Sequence, residues 1–146
     1  MFNIDTCIAF ITNRASKKLA DAFNKRLSNL GITRVQWTAL YYLGQQEGLN
    51  QKELGILMNI KGSTVARLID RLEKENYVER KQDPEDRRKT NLHLTTRGRR
   101  LRDKIIPEGE KMSQICSQGI TEEEMETFRQ VLKKMVTNIE KSTEND

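Results

Sequence analysis

The chain has 146 residues, of which 36% are hydrophobic, 32% charged and only 5% aromatic, and its formal net charge is +5. This length and mix favour one helix-rich soluble domain, or one core with an appended subdomain, and exclude two large domains. No apolar run approaches the roughly 20 residues that a bilayer span needs, so we expect no membrane partner. The small apolar content also favours completion of the core by a second copy of the chain.

The N-terminal residues and the cysteines indicate the compartment. Met1–Asp5 lacks the basic start and the apolar stretch of a secretion signal. Cys7 and Cys116 lie far apart without metal-type spacing, and His93 is the sole histidine. We therefore expect a reduced, cytoplasmic protein without a structural metal or a cofactor.

Four helices are predicted in the first half of the chain. Apolar residues at steps of three and four mark a long first helix that ends near Gly31. Thr33 and Gln36 form a capping box for a second helix. Asn50 begins a short third helix, and a break at 59–62 leads into a fourth. The residues of the fourth helix that we expect to face the core are Val65, Leu68, Ile69 and Leu72.

Two short strands follow, at 77–80 and 91–94, and the residues between them are turn-forming and charged. This pattern predicts a β-hairpin with a polar tip, on which His93 points outward. A fifth helix starts at Thr95 or Thr96, with a kink or a break at Pro107. Thr121 begins a last helix with a coiled-coil-like seam, and the tail from Ser142 is expected to fray.

Positive charge is concentrated in the middle of the chain. Residues 60–102 hold 13 Lys and Arg against 7 Asp and Glu, whereas the remainder holds 13 against 14. Such a zone is either a polyanion-binding surface or an ordinary solvated face. Within it, residues 50–76 have the helix–break–helix spacing of a helix-turn-helix, although an amphipathic helix pair would show the same spacing. The polar residues available to DNA on the second of these helices are Lys61, Ser63, Thr64, Arg67 and Arg71.

Arg67 is the first candidate for a base contact, because a guanidinium can bind both major-groove acceptors of guanine. The hairpin supports this interpretation, since five basic and three acidic residues lie within 80–89. A basic hairpin beside a recognition helix is the wing of a winged helix, placed to reach a minor groove. A carboxylate such as Asp86 would hold a neighbouring arginine in a fixed geometry.

The sequence also resembles a known family. The run 83–88 (DPEDRR), followed by 92–98 (LHLTTRG), is similar to the wing of the multiple-antibiotic-resistance regulator (MarR) family. Residues 63–73 (STVARLIDRLE) are similar to the recognition helix of that family, and 30–40 resembles the start of its second helix. The likeness covers nearly the whole chain in order.

The resemblance implies a mainly α fold with a small β-hairpin wing, a winged helix-turn-helix plus a helical dimerisation region. The implied division is an N-terminal dimerisation helix at 1–30, the DNA-binding domain at 31–95, dimerisation helices at 96–141 and a flexible tail at 142–146. The implied function is a homodimeric regulator, as a rule a repressor, that binds pseudo-palindromic double-stranded DNA.

Residue roles follow from the resemblance by position. Ser63, Thr64 and Arg67 would read the major groove, and Arg88 the minor groove with Asp86 as its orienting partner. The remaining residues assigned to DNA are Arg87 and Lys89 in the wing and Thr33, Arg34 and Lys52 at phosphates. Lys61 stands where a small capping residue is common, and Gly55 replaces a usual alanine.

Many members of the family release DNA when they bind small aromatic or anionic compounds. Phe10, Arg14, Trp37 and Tyr41 are either the lining of such an effector pocket or residues of the core. Cys7 lies near the peroxide-sensing cysteine of some relatives, but a packing role is the better interpretation, as it is for Cys116. The sequence offers no paired nucleophile and base, which argues against an enzyme. A winged helix used only for protein–protein contact is the alternative function.

Overall fold

A computed structural model describes residues 1–144 of the chain. This part of the chain contains six α-helices, a short 3₁₀ helix at Ile4–Thr6 and one antiparallel two-stranded sheet. The predicted mainly α fold with one β-hairpin is therefore confirmed. The elements are α1 (Ile8–Ser28), α2 (Arg34–Gln45), α3 (Gln51–Met58), α4 (Gly62–Lys74), β1 (Val78–Gln82), β2 (Thr90–Leu94), α5 (Thr96–Cys116) and α6 (Glu122–Thr143).

The chain forms two compact units, residues 1–110 and the residues from Lys111 onward. The core of the first unit gathers almost fully buried apolar side chains from α1 to α5 and from both strands. The members with no exposed surface include Leu27, Leu40, Leu54, Val65, Ile69, Leu72, Leu92 and Ile105. All four predicted core residues of α4 are buried.

Side-chain caps fix where α2, α3 and α5 begin, as predicted. The Thr33 hydroxyl accepts the Gln36 N–H while the Gln36 side chain accepts the Thr33 N–H, which completes a capping box at α2. The Asn50 side chain accepts the Glu53 N–H at 2.8 Å and begins α3. Thr95 caps α5 by accepting the Gly98 N–H at 2.9 Å.

The register of the two strands places one face of the hairpin against the core. Val78 pairs with Leu94 and Arg80 with Leu92, and both leucines are buried. His93 alternates to the other face and is half-buried. The Leu92 N–H donates to the Leu49 carbonyl oxygen at 2.8 Å, so the segment before α3 is hydrogen-bonded to β2. The helix-turn-helix and the hairpin are thereby joined through their backbones.

The structure corrects two expectations about helix α5, namely a break at Pro107 and the burial of Cys116. Pro107 does not break the helix, which is continuous from Thr96 to Cys116. Proline removes a single N–H donor, and the remaining bonds of a 21-residue helix persist on both sides of it. Cys116, the last residue of the helix, is exposed and not in the core.

Cys7 is also less enclosed than a packing cysteine, since it is half-buried just before α1, and both cysteines are free.

In the second unit, α6 begins at a complete capping box of Thr121 and Glu124. Arg129 donates to Glu122 at 3.0 Å and to Glu126 at 3.1 Å, and these bonds raise the pKa of its guanidinium. The helix continues to Thr143, and residues 145–146 of the predicted tail lie outside the described residues. Within residues 1–144, none of the helices combines the length and the apolar content that crossing a bilayer requires.

Candidate DNA interface

Helices α3 and α4 pack closely through a short turn. Asn59 ends α3 with a left-handed backbone (φ 52°), which asparagine tolerates better than most residues and which lets the chain reverse direction quickly. A Cβ at Gly55 would lie 3.1 Å from Cγ2 of Val65 and 3.3 Å from the Ile60 carbonyl oxygen. The glycine therefore costs helix propensity but permits the close approach of α3 to α4.

Helix α4 has one buried face and one exposed polar face. All five side chains predicted to face DNA are exposed, namely Lys61, Ser63, Thr64, Arg67 and Arg71. Arg71 forms an ion pair with Glu75 one turn later at 3.6 Å. Because both side chains are exposed to solvent, this interaction is weak. No side chain caps the N-terminus of α4, because Lys61 stands at the cap position. The first turn therefore presents both a positive charge and the positive end of the helix dipole.

We call residues Val78–Leu94 the wing. The turn at its tip is held by two aspartates. The Asp83 carboxylate accepts the N–H groups of Glu85 (2.8 Å) and Asp86 (3.3 Å) and the amide of Asn91 (3.1 Å). These hydrogen bonds lower the pKa of the Asp83 carboxyl, with the Glu85 N–H as the largest cause. The charged tip is thus a fixed turn and not a loose loop.

Arg88 and Asp86 contact each other at that tip, as the sequence suggested. Asp86 Oδ1 accepts the Arg88 backbone N–H at 3.0 Å and lies 3.6 Å from its Nε. The Arg88 side chain is nevertheless 95% exposed, so its guanidinium extends into solvent from an anchored base. Arg87 and Lys89 are exposed on either side. The wing tip therefore presents three adjacent cations.

Arg80 was missed as a candidate functional residue, although the sequence contains a signal for it. Its guanidinium donates to Asp70 (2.6 Å) and Glu73 (2.9 Å) of α4 and to Gln51 (3.0 Å) of α3. Alternation along β1 places Arg80 on the same face as the buried Val78. Asp70 and Glu73, three residues apart on α4, lie on that side of the strand. Arg80 is consequently bonded to side chains of α3 and α4, which leaves its guanidinium less free for DNA than the cations of the wing tip.

The residues predicted to contact phosphate differ in which of their groups are still available for a hydrogen bond. The backbone N–H groups of Thr33 and Arg34 are bonded to Gln36 Oε1 (2.9 Å) and to Asn24 Oδ1 (2.7 Å). Only the side chains of these two residues can therefore meet a phosphate. Lys52 is exposed and lines the same surface hollow as Lys61, which brings two lysines together beside the start of α4.

The four suggested effector residues fall into two places within the first unit. Trp37 and Tyr41 stack at a centroid distance of 5.6 Å. Arg102 lies over Tyr41 at 5.6 Å, a cation–π contact that the sequence did not reveal. Phe10 and Arg14 instead line a hollow of about 290 Å³ on α1. The aromatic ring of α1 that does touch Trp37 is Phe23, at 5.3 Å.

Among residues 1–144, no group of three or more His, Cys, Asp and Glu side chains lies close enough together to hold a metal ion. The chemistry available at this surface is recognition of a polyanion by fixed cations and short polar groups, and the fold is that of a winged helix-turn-helix DNA-binding protein.

Comparison with known proteins gives the family. The model of the MarR family matches residues 32–90. YsmB of Bacillus subtilis, an HTH-type transcriptional regulator, is 32% identical over 109 residues, which are 75% of this chain and 75% of that protein. The chain belongs to the MarR family of transcriptional regulators and is a DNA-binding protein.

Two solved structures are similar over nearly the full length. The crystal structure of the MepR–DNA complex of S. aureus has a TM-score of 0.84 at 27% identity and covers 92% of this chain and 98% of that one. CouR of Rhodococcus jostii, bound to p-coumaroyl-CoA, has a TM-score of 0.82 at 28% identity, with 92% and 95% covered. The curated relatives, SarZ of Staphylococcus epidermidis among them, are named as transcriptional regulators.

Proposed function

We propose that the protein is a homodimeric repressor that binds a pseudo-palindromic operator and releases it when a small aromatic or anionic compound binds. The observation that carries the proposal is the pairing, on one compact unit, of an exposed polar face on α4 with an anchored basic wing. One element fits a major groove and the other the neighbouring minor groove.

In this proposal each exposed side chain has a distinct task. Ser63, Thr64 and Arg67 contact base edges, and Arg67 takes a guanine. Arg88 enters the minor groove while Asp86 holds its base. Phosphates are contacted by Lys61, Arg71, Arg87, Lys89, Thr33, Arg34 and Lys52.

The homodimer is supported by apolar surface that the isolated chain leaves in water. Near the N-terminus Phe2 is 78% exposed, and Ile4, Ile8 and Leu19 are each about half exposed. On α6, the side chains of Phe128 and Ile139 are 55% and 66% exposed. Exposure of this extent at two sites is typical of surfaces that a partner covers. We infer that residues 1–30 and 96–141 form the dimerisation region and 31–95 the DNA-binding domain.

Relief by an effector is supported by the aromatic residues of α2 and by a relative. Trp37 and Tyr41 offer stacked rings, and Arg102 adds a cation within 6 Å of Tyr41. CouR, which shares this fold, binds p-coumaroyl-CoA. An aromatic acid matches this combination of rings and positive charge.

The test is selection of bound duplexes from fragments of the source genome, followed by titration of the best duplex at several salt concentrations. We expect a pseudo-palindromic site and two chains per duplex. We also expect the logarithm of the binding constant to fall linearly with the logarithm of the salt concentration. Transcription from the bound promoter should rise when the gene for the protein is deleted. Binding that ignores both sequence and salt would contradict the proposal and favour a winged helix that contacts protein only.

A further inference from the structure

We propose that Arg80 is a positioning residue that sets the geometry of the wing relative to α4, and thereby determines how strongly the protein prefers its operator over other DNA. The inference rests on the proposed sequence-specific binding and extends it to a residue that need not touch DNA.

The contacts of Arg80 reach three elements at once. From the middle of β1, its three guanidinium nitrogens donate to Gln51 at the start of α3 and to Asp70 and Glu73 of α4, at 2.6–3.0 Å. Its backbone N–H donates to the second oxygen of Glu73 at 3.2 Å. The side chain is only 24% exposed. A planar fork with this many fixed partners defines an orientation, whereas a single ammonium would define only a distance.

The two carboxylates explain why a cation is needed at this point. Asp70 and Glu73 lie on the helix that faces DNA, with Asp70 67% exposed beside Arg71. Unpaired, they would repel phosphate and leave the base of the wing without an anchor. Bonded to Arg80, they instead connect the helix to the wing. Charge that opposes DNA binding is thus used to hold the two DNA-binding elements at a fixed spacing.

Such a role predicts a particular pattern of loss. An operator requires α4 and the wing to enter their grooves at the same time, and a misplaced wing gives up its contacts there. Non-specific binding depends on the total charge and tolerates many orientations. A change at Arg80 should therefore reduce the preference for the operator much more than the affinity for DNA in general.

The experiment separates charge from geometry with two matched variants. Arg80→Lys keeps the charge and loses the fork. Lys81→Gln loses one charge at the next residue, which alternates to the opposite face and pairs with Glu79 in an exposed contact of 3.1 Å. Both are titrated, with the wild type, against the selected operator and a scrambled duplex at one salt concentration, and hydroxyl-radical footprints are recorded on the operator.

We expect Arg80→Lys to bind the operator about tenfold or more weakly, with loss of minor-groove protection at the flanks and little change on the scrambled duplex. Lys81→Gln should weaken binding to both duplexes by the same small factor. Wild-type affinity and footprint in Arg80→Lys, or an equal loss on both duplexes, would overturn the inference. A wild type that does not distinguish the duplexes would instead contradict the proposed function.

A second variant decides the matter if Arg80→Lys fails to fold. Asp70→Ala removes both a negative charge near DNA and the oxygen that accepts from the Arg80 fork, and electrostatics alone predicts tighter binding to every duplex. The positioning role predicts the opposite for the operator, because one partner of the fork is lost, while scrambled DNA is bound as well as before or better. Tighter binding to both duplexes would refute the role of Arg80.

Discussion

The indole Nε1 of Trp37 donates to the Ile105 carbonyl oxygen at 2.7 Å and so connects α2 to α5. The ring lies so close to α5 that a Cβ at Gly109 would overlap it. Glycine at position 109 is therefore required by the tryptophan and not by its own backbone conformation. Trp37 is the sole tryptophan of the chain, which makes this contact directly observable by fluorescence.

Gly109→Ala should displace the indole and break its hydrogen bond. Overpacking and a lost buried hydrogen bond together should lower the free energy of unfolding by about 2–4 kcal/mol. Urea titration followed by fluorescence measures both the stability and the exposure of the ring. Gly62→Ala, at a position where an added Cβ meets nothing within 4 Å, is the control and should leave stability unchanged or slightly raised. Equal stability of the two variants would contradict the packing argument.

Arg67→Ala should weaken operator binding by roughly 1–3 kcal/mol and relax the preference at one base position only. The side chain is exposed, and its removal should leave the unfolding temperature unchanged. Titration against single-base variants of the operator identifies the position. A uniform loss over all variants would assign Arg67 to phosphate and not to a base.

Arg88→Ala should weaken binding while the dimer and its melting behaviour stay intact, because the side chain is 95% exposed. Asp86→Ala should weaken binding too, even though it removes a negative charge, since the anchor of Arg88 is lost. Fluorescence anisotropy with a labelled operator measures both. Tighter binding of Asp86→Ala would show that the carboxylate merely repels DNA.

The Asp83 carboxyl makes the wing tip sensitive to acid. Its pKa is lower in the folded chain than in the unfolded one, so its contribution is complete above the unfolded value and is lost as the pH falls through the folded value. The amide signals of Glu85 and Asn91 in NMR spectra should therefore shift together at a pH below 3.8, the ordinary pKa of aspartate. Asp83→Asn should abolish this titration. Signals that move independently of residue 83 would contradict the assignment.

The parts of the fold that local chemistry determines could be predicted from the sequence. The capping box of Thr33 and Gln36, the buried face of α4 and the contact of Asp86 with Arg88 all depend on residues within a few positions of each other. The Arg80 network could not be predicted with the same ease. Its partners lie 7, 10 and 29 residues away, and only the packing of three elements brings them together.

Pro107 and Cys116 show a second limit of prediction from sequence. A proline weakens a helix locally, but the lengths of helix on either side of it decide whether the helix survives. Cys116 lies on the apolar side of α5 by its spacing, yet its side chain is exposed, as is that of the adjacent Ile115. Burial depends on what packs against a helix face, which the spacing of residues within the helix does not specify.

The uncapped start of α4 has a consequence for how this protein can be stabilised. Serine in place of Lys61 would supply the missing acceptor and add about 1 kcal/mol to the free energy of unfolding. The same exchange would remove a cation from the first turn of the helix that, in the proposed function, enters the major groove. Selection for heat resistance would thus favour serine at position 61, whereas selection for tight operator binding would favour lysine there.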